Sequence, residues 1–211
     1  MKILSHRGFW TDPSERNRQA AFERSFACGF GLETDVRDCP GRLVISHDMP
    51  GGSEMSLAAF LELFGGRDLP LALNIKADGL ADEVTRAMSA AAVPEWFAFD
   101  MSVPDTLAYL DAGAPVFVRM SELEPESPLL ERAAGVWLDA FFGDWYGTGR
   151  VASLLSRGKR VCVVSPELHR RPHDSLWRVL EPLAEHPGLL LCTDHPDRAR
   201  SFFGGLVKSE R

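Results

Sequence analysis

The sequence is poor in the features that mark several classes of protein. It has only four cysteines in 211 residues, and no two of them form a C-x-x-C pair, which argues against a thiolate metal site or a disulfide-built scaffold. No apolar run approaches the roughly 20 residues needed to span a bilayer. Basic residues are in deficit, with 23 against 30 acidic residues and a net charge of -7. This sign opposes binding to nucleic acid or to an anionic membrane surface.

The remaining composition is that of a globular chain, with 45% hydrophobic and 25% charged residues, which is enough apolar material for a sizeable core. The length fits one larger domain better than two small ones, so we expect a single domain over residues 1–211. The N-terminal segment reaches His6 and Arg7 too soon for a signal-peptide core, so we expect a cytoplasmic protein. The oligomeric state stays open.

Short apolar runs alternate with amphipathic stretches, which is typical of a parallel sheet with crossover helices. Strands are predicted at residues 2–5, 31–36, 71–75, 96–99, 116–119, 136–138, 160–164 and 189–192. Helices are predicted at residues 19–28, 57–64, 80–92, 105–110, 129–133, 150–156, 175–185 and 197–203. Eight such units close most economically into a compact (β/α)8 TIM barrel. The alternative is an open doubly wound sheet, but no glycine-rich phosphate loop follows the first strand.

A ninth apolar run at residues 43–46 follows Pro40 and Gly41 closely. The short turn predicts an accessory strand that folds back on the second barrel strand as a hairpin.

Polar side chains stand at the carboxyl ends of the predicted strands, where (β/α)8 enzymes carry their active sites. Glu33 and Asp35 lie two residues apart on one strand and share one face, so both can reach a single cation that prefers oxygen ligands, such as Mg²⁺ or Ca²⁺. Asn74 and Lys76 stand in the same relation on the next barrel strand and offer a neutral oxygen and an ammonium group. Together these residues predict a metal and phosphate site.

Two histidines, His6 and His47, also follow predicted strands near the N-terminus. Imidazole gives or takes a proton near neutral pH. A pair of them could therefore serve both ends of a displacement reaction.

The N-terminal motifs resemble those of the glycerophosphodiester phosphodiesterase (GDPD) family. The matching residues are Ser5-His6-Arg7-Gly8, Asn17 before Ala20-Ala21-Phe22, Glu33-Thr34-Asp35-Val36, Ile45-Ser46-His47-Asp48, Asn74-Ile75-Lys76 and Thr193-Asp194-His195-Pro196. The resemblance covers the chain nearly end to end, and its first quarter is the most specific part. It implies a phosphodiesterase on a barrel that needs one divalent cation, Mg²⁺ or Ca²⁺, with Mn²⁺ also possible.

The resemblance also implies roles for individual residues. Glu33, Asp35 and Asn74 would hold the metal, His6 and His47 would act as the acid–base pair, and Arg7 and Lys76 would contact the phosphate. The expected substrate is a small phosphodiester such as a glycerophosphodiester, cleaved to an alcohol and a phosphomonoester. That product is sn-glycerol 3-phosphate if the substrate is a glycerophosphodiester.

The sequence departs from the family pattern at three places. The family's Glu-Asn-Thr reads Arg16-Asn17-Arg18 here, with Glu15 one position early. Asn74 stands where the family has a metal-binding glutamate, which removes one negative charge from the site. The segment from Asp48 to Leu71 is too short for the accessory domain of larger members, which indicates an open substrate pocket.

Two residues of the C-terminal half complete the set of site candidates. Glu167, just beyond the seventh barrel strand, could reach the substrate or metal, and Trp145 could stack on the organic part of the substrate. Two alternatives to hydrolysis remain. One is a phospholipase-type attack by a substrate hydroxyl that yields a cyclic phosphate. The other is a degenerate barrel that binds phosphorylated ligands without turnover.

Overall fold

The structure, a computed structural model, describes residues 1–206. Its fold class is the predicted (β/α)8 barrel, with eight barrel strands, one accessory strand and seven α-helices over these residues. By its internal contacts the chain divides into two compact units. One comprises His6–Phe117, and the other comprises residues 1–5 together with the chain from residue 118 onward. We call them the first unit and the second unit, and each is described by itself.

The first unit contains a parallel array of barrel strands and the helices that follow them. Its strands are β2 (Gly31–Cys39), β3 (Arg42–Ile45), β4 (Leu71–Ile75) and β5 (Trp96–Phe99). Its helices are α1 (Gln19–Ala27), α2 (Leu57–Phe64), α3 (Ala81–Ala90) and α4 (Val103–Asp111). Strand β4 pairs in parallel with both β2 and β5, and all five of its residues are buried. Burial throughout a strand is typical of parallel sheets covered by helices on their outer face.

Helix α2 shows how local sequence sets an element's ends. The Ser56 side chain accepts a hydrogen bond from the backbone N–H of Ala59, which caps the first turn. Gly65 ends the helix in the left-handed conformation. The buried face packs through aromatic pairs, with the rings of Phe22 and Phe60 5.1 Å apart in an edge-to-face arrangement. These contacts fix α2 against α1.

The predicted hairpin is confirmed. Strands β2 and β3 pair antiparallel, from Val36 opposite Ile45 to Cys39 opposite Arg42, and Gly41 takes the positive φ of 77° that the tight turn requires. The hairpin lengthens β2 beyond its predicted end at residue 36.

The second unit contains the remaining barrel strands and helices. Its strands are β1 (Lys2–His6), β6 (Phe117–Met120), β7 (Gly135–Leu138), β8 (Arg160–Val164) and β9 (Leu189–Thr193). The last residue of β1 and the first residue of β6 belong to the first unit. Its helices are α5 (Thr148–Ser156), α6 (Asp174–Leu180) and α7 (Pro196–Leu206). Strand β9 pairs in parallel with β1 and with β8.

The helix predicted at residues 129–133 is wrong. The segment forms a single turn in which the Ala133 N–H is shared between the carbonyls of Leu129 and Leu130, at 3.1 and 3.2 Å. A five-residue segment forms too few hydrogen bonds to offset the cost of helix nucleation, so the helical conformation ends after that turn. Within residues 1–206, no helix is both long and apolar enough to cross a membrane.

Candidate active site

Strand β2 buries three consecutive polar residues, Glu33, Thr34 and Asp35, whose exposed fractions are 1%, 0% and 0%. Removing polar groups and charges from water is costly unless they find partners. The polar run lies between the buried Leu32 and Val36 and is the first sign of a built site. The partners of these side chains define its geometry.

Asp35 is held between two cations and an amide. The Arg7 Nε atom lies 2.9 Å from Oδ2, and the Lys76 Nζ atom lies 3.3 Å from Oδ1. The Asn17 side-chain amide donates a third contact to Oδ2 at 2.8 Å. Arg7 and Lys76 follow β1 and β4, so residues from the ends of two strands meet Asp35 of β2.

The segment after β1 is shaped to bring Arg7 and Asn17 to this cluster. Both residues have positive φ values, 56° and 57°, which are uncommon for non-glycine residues and collect at functional sites. The Asn17 N–H donates to the Arg7 carbonyl at 2.9 Å, and the Asn17 side-chain oxygen accepts from the Thr34 hydroxyl at 2.8 Å. Gly8 is required next to Arg7, because a Cβ atom there would lie 2.6 Å from the Ala21 Cβ.

Glu33 has weaker charge compensation than Asp35. Its Oε2 atom accepts the Arg7 backbone N–H at 3.1 Å and lies 3.9 Å from the His6 Nε2. Burial, and then the negative charge of Asp35, raise the pKa of the Glu33 carboxyl to about 7, against the opposing pull of His6, Arg7 and Lys76. Near neutral pH this carboxyl therefore stands between its charged and neutral forms.

Asn74 lies directly across from Asp35 in the register of β2 and β4. Its side chain is 8% exposed. The amide nitrogen donates to Asp100 at 3.3 Å, while the amide oxygen accepts no hydrogen bond. A buried acceptor left without a donor costs free energy. Such an oxygen is suited to a ligand that supplies positive charge.

His47 is brought to the end of β2 by the hairpin, because the N–H of Ser46 donates to the Asp35 carbonyl at 3.1 Å. Its Nδ1 atom lies 2.8 Å from the Asp48 carboxylate, and this bond holds the pKa of Asp48 below its usual range. The His47 side chain is 45% exposed, whereas that of His6 is 15% exposed. The side chain of His47 is therefore more exposed to solvent than that of His6.

Glu167 lies in the second unit and has its own neutral partners. Its carboxylate accepts hydrogen bonds from the hydroxyls of Ser165 and Thr193 and from the backbone N–H of Asp194. The His173 Nδ1 atom lies 3.7 Å from it. Its predicted contact with substrate stays a prediction.

Trp145 also lies in the second unit, half-buried, with its ring edge-to-face against Tyr146 at 5.3 Å. Its indole N–H donates to the Asp139 carbonyl at 2.7 Å. The Asp139 carboxylate lies 2.7 Å from the His169 Nε2. No motif in the sequence predicts this His169–Asp139 pair, since the two residues lie 30 positions apart. The role of Trp145 in stacking on a substrate stays a prediction.

The structure thus brings together, within the first unit, the predicted site residues His6, Arg7, Glu33, Asp35, Asn74 and Lys76. The sequence did not predict Asn17 as a member of this cluster, although Asn17 belongs to the motif that precedes Ala20-Ala21-Phe22. No rule of residue type singles out an asparagine in a loop. Its place follows from the chain path between β1 and α1.

The chain is similar over nearly its whole length to phosphodiesterases of known structure. One is a glycerophosphodiester phosphodiesterase from Agrobacterium tumefaciens, 19% identical, with a TM-score of 0.66 and coverage of 99% of this chain and 100% of that one. Another is an Oleispira antarctica phosphodiesterase in complex with the product sn-glycerol-3-phosphate, 16% identical, with a TM-score of 0.67 and 97% of each chain covered.

A third solved structure is a Ca²⁺-dependent phosphatidylinositol-specific phospholipase C from Streptomyces antibioticus. It is 12% identical, with a TM-score of 0.57 and coverage of 96% of this chain and 95% of that one. No protein-family model matches the chain, and no curated protein sequence does. At such identities the likeness concerns the fold, and the activity must be argued from the site.

Proposed function

We propose that the protein is a metal-dependent phosphodiesterase that hydrolyses a small, glycerophosphodiester-like substrate to an alcohol and a phosphomonoester. The observation that carries the proposal is the pairing of Asp35 with both Arg7 and Lys76. A phosphodiester is an anion whose transition state spreads charge over its oxygens, and Arg and Lys provide the stabilisation that this charge needs. The phospholipase and phosphodiesterase folds that the chain resembles are consistent with this chemistry.

The residues of the cluster fit a hard divalent cation. Over residues 1–206, His, Cys, Asp and Glu side chains do not gather in groups of three that could hold a metal, and the Asn74 amide oxygen would be the third ligand beside Glu33 and Asp35. Asn74 offers a buried oxygen without a hydrogen bond, whereas Oδ1 of Asp35 makes an ion-pair contact with Lys76 at 3.3 Å. Glu33 adds a buried carboxyl, whose pKa is raised by burial and by the negative charge of Asp35. These three residues would hold Mg²⁺ or Ca²⁺, with Mn²⁺ also possible.

Phosphate binding and cation binding complement each other at Asp35. A phosphate that takes Arg7 and Lys76 removes the positive charges that now balance the Asp35 carboxylate. A cation held by Asp35 and Glu33 restores that balance. When bound, the cation would neutralise charge on the phosphoryl oxygens.

The histidines would move the protons of the reaction. One takes a proton from the attacking water as its oxygen bonds to phosphorus, and the other gives a proton to the departing alkoxide as the old P–O bond breaks. The contact of His6 with Glu33, at 3.9 Å, and that of His47 with Asp48, at 2.8 Å, would orient the two rings.

The decisive experiment is a panel of phosphodiesters assayed on chelator-stripped protein, with and without Mg²⁺, Ca²⁺ and Mn²⁺. We expect turnover that disappears on chelation and returns with metal, and a phosphomonoester as the product in phosphorus NMR. A cyclic phosphate would instead assign the phospholipase-type reaction. Tight binding of phosphorylated ligands without turnover under any metal would reduce the protein to a binding module, and full activity of metal-free protein would remove the metal from the mechanism.

A further inference from the structure

A cavity of about 310 Å³ opens in the first unit beside Arg7. Its wall comes from the segment between β1 and α1 and from the segment after β3. The charged and titratable residues that line it are Arg7, Arg16, Arg18, His47, Asp48 and Glu54. Two of its three arginines stand where the sequence departs from the GDPD pattern.

The acidic residues of this lining are already engaged. Asp48 is bonded to His47 at 2.8 Å. Glu54 accepts the backbone N–H groups of Gly51 and Gly52, each at 2.8 Å. These bonds hold the pKa of Glu54 below its usual range, so the carboxylate is charged and engaged by the two backbone N–H groups.

The arginines differ in how they are held. Arg7 is paired with Asp35. The half-buried Arg16 stacks its guanidinium 4.2 Å above the Trp10 ring, a contact that orients the group at little cost in hydration. Arg18 is exposed, and over the described chain its side chain makes no hydrogen bond or ion pair, although its charge acts on Glu54.

We propose that Arg16 and Arg18 bind a second phosphate group of the substrate, so that the preferred substrate is a phosphodiester that also carries a phosphomonoester. The inference rests on the proposed phosphodiesterase function and names its substrate class. A phosphomonoester carries about -1.5 to -2 charges at pH 7, which two arginines match. Guanidinium groups bind phosphate through two parallel hydrogen bonds.

The size and polarity of the cavity support this class of ligand. A volume of about 310 Å³ lies at the lower end of small-molecule sites, which start near 300 Å³. This volume accommodates a phosphate on a short carbon chain. Because Arg7 belongs both to this lining and to the Asp35 cluster, the second phosphate would bind next to the reacting one.

The test compares two diesters that differ in one group, glycerophosphoglycerol and its terminal phosphomonoester. We expect wild-type kcat/KM to favour the phosphorylated diester by about tenfold or more, the size of one charged hydrogen bond. The Arg16→Gln/Arg18→Gln double variant should lose that preference, and Arg18→Gln alone should lose part of it without disturbing packing. Arg86→Gln, an equal charge change at an exposed site of α3, is the control and should retain the preference.

The same pair is titrated by calorimetry against the His6→Ala variant, so that binding is measured without turnover. Equal wild-type kcat/KM for the two diesters, or a preference that survives in the double variant, overturns the second-phosphate site and leaves the phosphodiesterase intact. Inorganic phosphate that binds as tightly as the phosphorylated diester assigns the cavity to a free anion and also overturns it. A third outcome separates the two proposals: neither diester is turned over, the phosphorylated diester binds more tightly, and the arginine variants abolish that difference in binding. This outcome overturns the phosphodiesterase and retains the second-phosphate site.

Discussion

The two units each bury a carboxylate beside polar strand ends, and they balance it in different ways. In the first unit, Asp35 faces the full charges of Arg7 and Lys76. In the second unit, Glu167 accepts bonds from the hydroxyls of Ser165 and Thr193 and from a backbone N–H. Charged side chains can be taken over by an anionic ligand, whereas hydroxyl and backbone donors stay where the fold holds them. The difference indicates a site in the first unit whose charged partners an anionic ligand can engage. Around Glu167 the hydrogen bonds come from hydroxyl and backbone donors, with His173 3.7 Å away.

Loss of either histidine is the strongest way to test the site in the first unit. His6→Ala and His47→Ala should each lower kcat by about a hundredfold or more, the usual contribution of a general acid or base. The double variant should be little worse than the worse single, because the two groups act in one displacement. Steady-state kinetics on the best diester of the panel measures this, with the exposed His186→Ala as control. A histidine variant with wild-type rates would return that residue to a structural role.

Replacing Glu33 tests the electrostatic strain of the same site. Its pKa of about 7 in the folded protein lies above the ordinary value of 4.5, so the folded state binds more protons than the unfolded state. The contribution of Glu33 protonation to the unfolding free energy is therefore present below pH 4.5 and is lost as pH rises from 4.5 to 7. From pH 5 to pH 8, the metal-free wild type should lose about 2 kcal/mol of unfolding free energy that metal-free Glu33→Gln retains.

Denaturant unfolding at the two pH values measures this gain, and Glu62→Gln on the exposed face of α2 is the matched control. An equal effect of Glu33→Gln at pH 5 and pH 8 would contradict the raised pKa. Added Mg²⁺ or Ca²⁺ should erase the wild-type deficit at pH 8, since the cation binds only the folded protein.

Glu167 provides the contrasting measurement in the second unit. Glu167→Ala leaves two hydroxyls and a backbone N–H without their acceptor, and we expect it to lower the unfolding free energy by about 1–3 kcal/mol at every pH tested. The exposed Glu185→Ala should have no such effect. Stability unchanged in Glu167→Ala, together with a raised KM, would move Glu167 into the substrate site that the sequence predicts.

The smallest expected effect concerns the metal ligand set. Asn74→Asp adds a third negative charge to Glu33 and Asp35 and should tighten metal binding by about tenfold, since affinity for hard cations rises with the charge of the oxygen cage. Calorimetry on stripped protein measures this, with Asn74→Ala expected to weaken binding. Turnover need not rise, because the added charge also repels the substrate phosphate. Unchanged affinity in both variants would place Asn74 outside the ligand set.

Much of the fold could be predicted from the sequence because it depends on local and periodic signals. The strands at residues 71–75, 96–99 and 160–164 have the predicted bounds. The hairpin of β2 and β3 follows from Pro40 and Gly41 and a short return run. The helix at residues 129–133 fails because five residues hold a periodic pattern without enough hydrogen bonds to sustain it. That residues 1–211 form one domain stays a prediction.

The candidate site divides in the same way. The sequence by itself determined which residues share a strand face, because alternation on a strand places Glu33 with Asp35 and Asn74 with Lys76 on common faces. Only the tertiary structure decided that Asn17 bonds Asp35 and that Arg16 and Arg18 line a cavity beside Arg7. These residues lie in a loop, where no periodicity relates sequence position to direction. Their side chains acquire neighbours only when the chain between β1 and α1 takes its path over the end of β2, with Arg7 and Asn17 in the left-handed backbone region.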